Sequence, residues 1–239
     1  MQNRTRHMSP VTHRDSMDFF LVKARARVLQ ETTYDGWLKV SKSFENELKR
    51  HPAGYSLVAT QYGLSVAYAK MNQKDKALTA IRAAKAASKE NSVILDKHLA
   101  ELTYQVAKTQ AQKDQALALA KSTCNQYPYS GLAASNYVEL LFQSGKHQEL
   151  VDYLRNQSAL SRSNPDYHMY LARSYEALGK KSMAFAATGD MYALLDNPRA
   201  AVYQFELAQK ANDGDFYIMS EIDAKLREQR QKVLDQKKD

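Results

Sequence analysis

A 34-residue spacing constrains this chain more than any other feature. Asp114-Gln115-Ala116-Leu117, His147-Gln148-Glu149-Leu150 and Lys181-Ser182-Met183-Ala184 each open a helical pattern, and their apolar anchors Ala116, Leu150 and Ala184 lie 34 residues apart each time. Pro128 and Asn164-Pro165 punctuate the same interval. A fixed period of this length belongs to repeated helix–turn–helix units, none of which buries its apolar face alone, so each must stack on its neighbour. The period implies a solenoid whose work is to hold another protein.

The remainder of the chain extends the pattern. Residues 1–14 read as an irregular lead-in. Asp15-Ser16-Met17-Asp18 can cap a helix running to about Gln30, with Phe19, Val22, Ala26 and Leu29 as its apolar stripe. A second helix runs from about Tyr34 to Arg50, carrying Trp37, Val40, Phe44 and Leu48, and His51-Pro52 closes it. Further hairpins pair Ser56–Met71 with Asp75–Ser88, Asn91–Ala111 with Asp114–Tyr127, Gly131–Ser144 with His147–Gln157, and Pro165–Leu178 with Lys181–Leu195. Tyr68 then Ala77, nine residues on, resembles the aromatic-to-Ala spacing of the tetratricopeptide repeat (TPR), where a small residue lets two helices cross closely beside a ring. Tyr192 and Ala201 repeat that spacing only 17 residues after Ala184, so Lys181–Leu195 serves two hairpins. Its further partner is Ala200–Ala211; Asp213-Gly214-Asp215 then caps a last helix from Phe216 to about Val233, whose outer face is strongly charged. The expected fold is an all-α, TPR-type α-solenoid of about twelve antiparallel helices with a charged C-terminal capping helix. It spans residues 15–233, and 234–239 form a frayed tail.

Composition fits. Hydrophobic residues make up 44% of the 239, enough for a sizeable core, while 8 Gly and 5 Pro suit long helices and short turns. The single Cys124 cannot staple the chain and reads as a buried structural thiol. The net charge of +8 lies entirely in residues 1–100, which hold 17 Lys+Arg against 9 Asp+Glu, whereas the rest balances. That half suits an acidic protein surface or lipid headgroups. No dense basic tract with interleaved aromatics occurs, which argues against nucleic-acid binding. No apolar run reaches the ~20 residues that span a bilayer, and the polar Met1–Met8 start lacks the apolar core of a signal peptide. Taken as complete, such a chain is expected in the cytoplasm; taken as a fragment, its address lay elsewhere.

Chemistry-bearing motifs are missing. There is no His-Glu-x-x-His, no Gly-rich phosphate loop and no Gly-x-Ser-x-Gly elbow, so no catalytic residue, metal ligand or cofactor is assigned within the chain. The six His are scattered singly. What remains is surface. In a TPR the second, fifth, ninth and twelfth positions of each first helix face a concave groove. The register set by Ala77, Ala116, Leu150 and Ala184 places Tyr62, Val66, Glu101, Gln105, Lys108, Ser135, Glu139, Phe142, Met169, Arg173 and Glu176 there. Clamps for a C-terminal carboxylate need Lys and Asn at the fifth and ninth positions, and these slots hold neither. Tyr62, Phe142, Met169 and Arg173 are the strongest candidates, because aromatic, Met and Arg side chains dominate interface energetics.

Three stretches go beyond a generic TPR. They are Asn3-Arg4-Thr5-Arg6-His7-Met8 followed by Asp15–Arg25; Gln61-Tyr62-Gly63-Leu64 after His51-Pro52; and Asp215–Glu228. In order and separation they resemble the C-terminal portion of bacterial periplasmic zinc metallopeptidases of the β-barrel assembly-enhancing protease type. The resemblance implies a non-catalytic module from such a peptidase. It implies a periplasmic location, zinc in a preceding domain not contained here, and partners among outer-membrane barrel-assembly proteins or their substrates. The alternative is a stand-alone TPR scaffold unrelated to proteolysis.

Overall fold

The computed structural model describes residues 16–156 and 164–236. The lead-in over 1–14, and residues 237–239 of the expected tail, lie outside the described residues. Among the described residues there are twelve helices and no strand: α1 (Met17–Leu29), α2 (Tyr34–Leu48), α3 (Gly54–Lys70), α4 (Lys74–Ala87), α5 (Val93–Val106), α6 (Gln110–Gln126), α7 (Gly131–Gln143), α8 (His147–Asn156), α9 (Pro165–Ala177), α10 (Lys181–Leu194), α11 (Pro198–Ala211) and α12 (Phe216–Asp235). The chain forms two compact units, Met1–Leu119 and Ala120–Asp239, divided within α6.

Local chemistry fixes where these helices begin. Ser16, Thr33, Ser130, Asn164, Asn197 and Asp215 each accept a hydrogen bond from a backbone N–H of the first turn they precede, satisfying donors that no carbonyl of the helix can reach. Pro165 and Pro198 occupy first positions, where the missing N–H costs nothing. The ends repeat as well. Asn72, Gly145, Gly179 and Asp196 take left-handed φ of 57°, 68°, 73° and 53°. The N–H of the following residue then donates to a carbonyl five residues back, Gln73 to Tyr68, Lys146 to Leu141, Lys180 to Tyr175 and Asn197 to Tyr192. This is the Schellman closure, and five residues after each left-handed residue stands an anchor: Ala77, Leu150, Ala184 and Ala201.

The α5–α6 connection departs from that pattern. The expected helices Asn91–Ala111 and Asp114–Tyr127 instead end at Val106 and begin at Gln110. Thr109 Oγ1 accepts from the Gln112 N–H at 3.3 Å, and Gln112 Oε1 accepts from the Lys108 and Thr109 N–H groups at 2.7 and 3.1 Å. This reciprocal capping box starts α6 earlier.

In the first unit, α1 and α2 both pack on α3, and α3 pairs with α4. The stripe expected for α1 is corrected. Met17, Leu21, Ala24 and Val28 are the buried residues, whereas Phe19, Val22, Ala26 and Leu29 face outward. A close approach to a buried ring occurs at Gly63. A Cβ there would lie 2.8 Å from Phe44 Cε2; the ring is itself buried and covered on another side by Arg27, whose guanidinium carbon sits 4.4 Å from its centroid.

In the second unit, α10 packs on α9 and on α11, so one helix serves two hairpins as the 17-residue spacing implies. Gly189 plays the part of Gly63: a Cβ there would meet Phe205 Cε1 at 2.8 Å. Ala184 is only half-buried, while Ala77, Ala116, Leu150 and Ala201 are fully buried. Asp215 caps α12 as expected, but Asp213 caps α10 instead, accepting from the Lys181 and Ser182 N–H groups at 2.7 Å each. α12 buries Ile222, Leu226 and Gln229 and carries ion pairs on its outside, Arg230 with Glu206 and Lys232 with Glu228, both at 2.8 Å.

Gly63→Ala and Gly189→Ala should lower the thermal midpoint even though Ala is favoured over Gly within a helix by about 1 kcal/mol, because overpacking costs about 1–3 kcal/mol. Gly131→Ala, where a Cβ meets nothing within 4 Å, should not lower it. Ala116→Leu should cost about 1–3 kcal/mol and the half-buried Ala184→Leu less, read from denaturant melts. Equal midpoints for all variants would refute the close-crossing account.

Candidate functional site

Two clusters lie where first helices of successive hairpins meet, one in each unit. In the first unit, α3 contributes Tyr62 and Ser65, α5 contributes Lys97, His98 and Glu101, and α1 contributes Arg25. Arg25 Nη1 donates to the Tyr62 hydroxyl at 3.4 Å, and the Tyr62 ring meets His98 edge-on at 5.5 Å. Ser65 is fully buried and its hydroxyl donates to the Ala77 carbonyl at 2.7 Å. Its oxygen is therefore left to accept from His98 Nε2 at 3.1 Å, so Nε2 carries a proton in this contact. His98 Nδ1 faces Glu101 Oε2 at 3.7 Å, and Lys97 pairs with Glu101 Oε1. Burial pushes the Glu101 carboxyl up, but His98 and Lys97 beside it outweigh this, and the group is held below the ordinary carboxylate value.

Ser65, His98 and Glu101 reproduce the connectivity of a hydrolytic triad. The geometry works against nucleophilic chemistry. Ser65 has no exposed surface for a substrate to reach, and its proton is committed to Ala77 rather than to the imidazole. The cluster ties α3, α4 and α5 together and presents Glu101 at the surface.

The groove positions expected from sequence divide. Tyr62 and Val66 are corrected: they are 1% and 4% exposed and belong to the core, because α1, α2 and α4 all pack on α3 and Tyr62 also lies against Arg25 of α1 and His98 of α5. Glu101 is half-buried, while Gln105 and Lys108 are exposed. In the second unit Ser135 is half-buried, with its hydroxyl returned to the Leu132 carbonyl of its own helix at 3.1 Å. Glu139, Phe142 and Met169 are half-buried, and Arg173 and Glu176 are exposed. Phe142 meets Tyr170 edge-on at 5.3 Å and His147 at 5.6 Å. The Glu139 and Arg173 charges both act on the Tyr170 hydroxyl, so Tyr170 joins the α7 and α9 positions. Burial is the main cause of the raised Tyr170 pKa.

Other groups of interest lie outside the groove positions. Asp190 of α10 holds Lys225 of α12 at 2.8 Å, and Glu221 holds the same ammonium at 2.8 Å. These groups line a cleft of about 490 Å³ with His168, Phe205 and Glu228. Burial alone would lower the Lys225 pKa, yet the two carboxylates raise it. Phe216 and Tyr217, at 79% and 82% exposure, stack edge-on at 5.8 Å at the start of α12. The Asp215–Glu228 stretch flagged that segment, but the TPR position rule does not reach it. Cys124, expected to be buried, is half-buried and accepts a hydrogen bond from the Tyr153 hydroxyl at 3.5 Å. Among the described residues, no three His, Cys, Asp or Glu cluster to hold a metal ion, and no helix is long and apolar enough to cross a membrane.

No protein-family model matches the sequence, and no curated protein matches it. Solved structures do resemble the fold. A mutant of MamA superposes with a TM-score of 0.53 at 16% identity, over 76% of this chain and 93% of that one. A tetratricopeptide repeat protein from Parabacteroides merdae gives 0.52 at 11% identity, over 92% and 86%. A chain of the APC/C hetero-tetramer Cut9-Hcn1 gives 0.51 at 12% identity, over 91% of this chain and 43% of that one. Identities this low speak for fold alone: the chain is an all-α protein of the TPR solenoid class.

Glu101 gives a pH test. Its folded pKa lies below the unfolded value of about 4.3, so its contribution is present above that value and lost as pH falls through the folded pKa. Glu101→Gln should therefore lower stability at neutral pH and flatten the acid limb of a urea-midpoint-versus-pH curve. An unchanged acid limb would mean that the pairing with His98 and Lys97 does not form.

Proposed function

We propose that this chain is the protein-docking module of a periplasmic zinc metallopeptidase of the β-barrel assembly-enhancing type. In this reading it seats outer-membrane barrel-assembly proteins or brings their stalled substrates to the peptidase. The observation that carries the docking role is the face shared by α7 and α9. Phe142 and Tyr170 stack there beside Met169, with the charges of Glu139 and Arg173 around them. Aromatic, Met and Arg side chains in partial exposure are the composition of a protein-contact patch. The TPR-class architecture supports the same role, and a structural neighbour of similar fold was solved within the Cut9-Hcn1 hetero-tetramer.

The finer setting rests on sequence. The three stretches that resemble the peptidase family support it, and one of them forms α12 and exposes the Phe216–Tyr217 pair. Zinc enters this reading only with the peptidase domain, and the periplasmic location comes with it.

Immobilised chain should retain barrel-assembly proteins from detergent-solubilised outer membranes above the level held by an unrelated TPR module. Arg173→Glu, a surface change, and Phe142→Ala should each reduce retention about tenfold or more if they are anchors. Retention of partners unrelated to barrel assembly would leave a docking module but move it to the stand-alone scaffold reading. Retention indifferent to both substitutions would place docking on another face.

A further inference from the structure

We infer that the outward face of α1 docks an amphipathic helix with acidic flanks, supplied by a partner protein. This surface is separate from the α7–α9 face and does not depend on it. On a helix with 100° between residues, Met17, Leu21, Ala24 and Val28 form one line, and it is buried against the first unit. Phe19, Val22, Ala26 and Leu29 form a second line on the opposite side. Phe19, Val22 and Leu29 are 50%, 56% and 44% exposed, and Ala26 is exposed too. Scattered exposed apolar residues need no explanation. A continuous line along the whole helix does, because a helix apolar on opposite sides is one that is covered on both. Phe20, edge-on to Phe19 at 5.9 Å, and Tyr55 of α3, 6.0 Å further on, widen the line at its N-terminal end.

Charge selects the occupant. Asp18 accepts a hydrogen bond from Ser92 at 3.0 Å, and Arg27 is held by Glu47 at 2.7 Å and by Ser43 at 2.6 Å. Lys23 on one border and Arg25 on the other are exposed. Arg25 spends one N–H on the Tyr62 hydroxyl, and among the described residues neither cation is in an ion pair with a carboxylate. A helix with apolar residues at three- and four-residue spacing, bordered by Asp and Glu, complements both features. A second copy of this chain does not, because the line is symmetric about Ala24. Antiparallel pairing would set Lys23 against Lys23 and Arg25 against Arg25, and parallel pairing sets Lys23 of one copy against Arg25 of the other. Residues 1–15 carry Arg4, Arg6 and Arg14 against Asp15 alone, which is the wrong sign. Two such cations also fall short of the ~4–8 basic residues of an anionic-lipid site.

The test uses the full chain and a fluorescent three-heptad probe peptide with Leu at its apolar positions and Glu on its flanks, against the same peptide with Lys flanks. Anisotropy should show the Glu-flanked peptide bound at least about tenfold tighter than the Lys-flanked one. Raised salt should narrow the difference. Val22→Glu should abolish binding and Lys23→Glu should erode the preference, with thermal midpoints unchanged for both; Leu29→Gln serves if Val22→Glu fails to fold. Equal binding of both peptides, binding of neither, or binding that survives Val22→Glu overturns the inference. A dimer in sedimentation velocity, or capture on anionic vesicles, that Val22→Glu removes would also overturn it, giving the face to a second copy or to lipid.

Discussion

The distance at which consecutive helices cross governs the rest of this structure. At Gly63 and Gly189 a neighbouring Phe ring occupies the space a methyl would need, and the small side chains of Ala77, Ala116 and Ala201 are fully buried. Crossings this close require the chain to reverse tightly. The left-handed residues Asn72, Gly145, Gly179 and Asp196 supply that reversal. For Asn72 and Asp196 the conformation costs roughly 1 kcal/mol, offset by the closing hydrogen bonds and by packing gained along two helices. At Ala77, Leu150, Ala184 and Ala201 the anchor spacing is the trace of this geometry, with the left-handed residue five positions before the anchor.

Much of the fold was legible for that reason. A turn that must place one residue at positive φ and another against a facing ring constrains residue types at fixed offsets, and such offsets survive in the sequence. The α5–α6 connection was misplaced because it closes by a different device. Thr109 and Gln112 form a capping box, which is itself readable, but a period centred on Ala116 and Asp114 drew the helix start too late. The two lines of α1 mark a true limit. Spacings of three and four residues occur on both, both are apolar, and periodicity alone cannot say which one faces α3.

The contact surface was less legible than the fold. The position rule that assigned Tyr62 and Val66 to a groove assumes that each first helix has one open side. α3 has none at those positions, because α1, α2 and α4 pack on it and His98 of α5 meets the Tyr62 ring. Phe142, Met169 and Arg173 kept some exposure because α7 and α9 meet over a narrow strip. Tyr170, which joins them, was passed over since it falls between the groove positions. Phe216 and Tyr217 show a further gap: they sit in the first turn of a helix outside the repeat, where no register predicts orientation.

Several charged groups of each unit hold helices together, and this bears on where partners can bind. Ser65, His98 and Glu101 use the connectivity of a hydrolytic site to join three helices, and Asp190, Lys225 and Glu221 join α10 to α12. Ion pairs of this kind contribute little when fully solvated. Their value here is in orientation, since they link side chains and carbonyls of different helices. A partner that competed for these groups would have to replace pairings already made inside the protein, at a cost no exposed surface imposes. The places where contact displaces no such ion pair are the half-buried Phe142–Tyr170 face with the exposed Arg173, the exposed Phe216–Tyr217 pair, and the outer line of α1. Binding is therefore expected at apolar and aromatic surface bordered by charge not already paired, with the polar clusters acting beneath it to keep that surface in register.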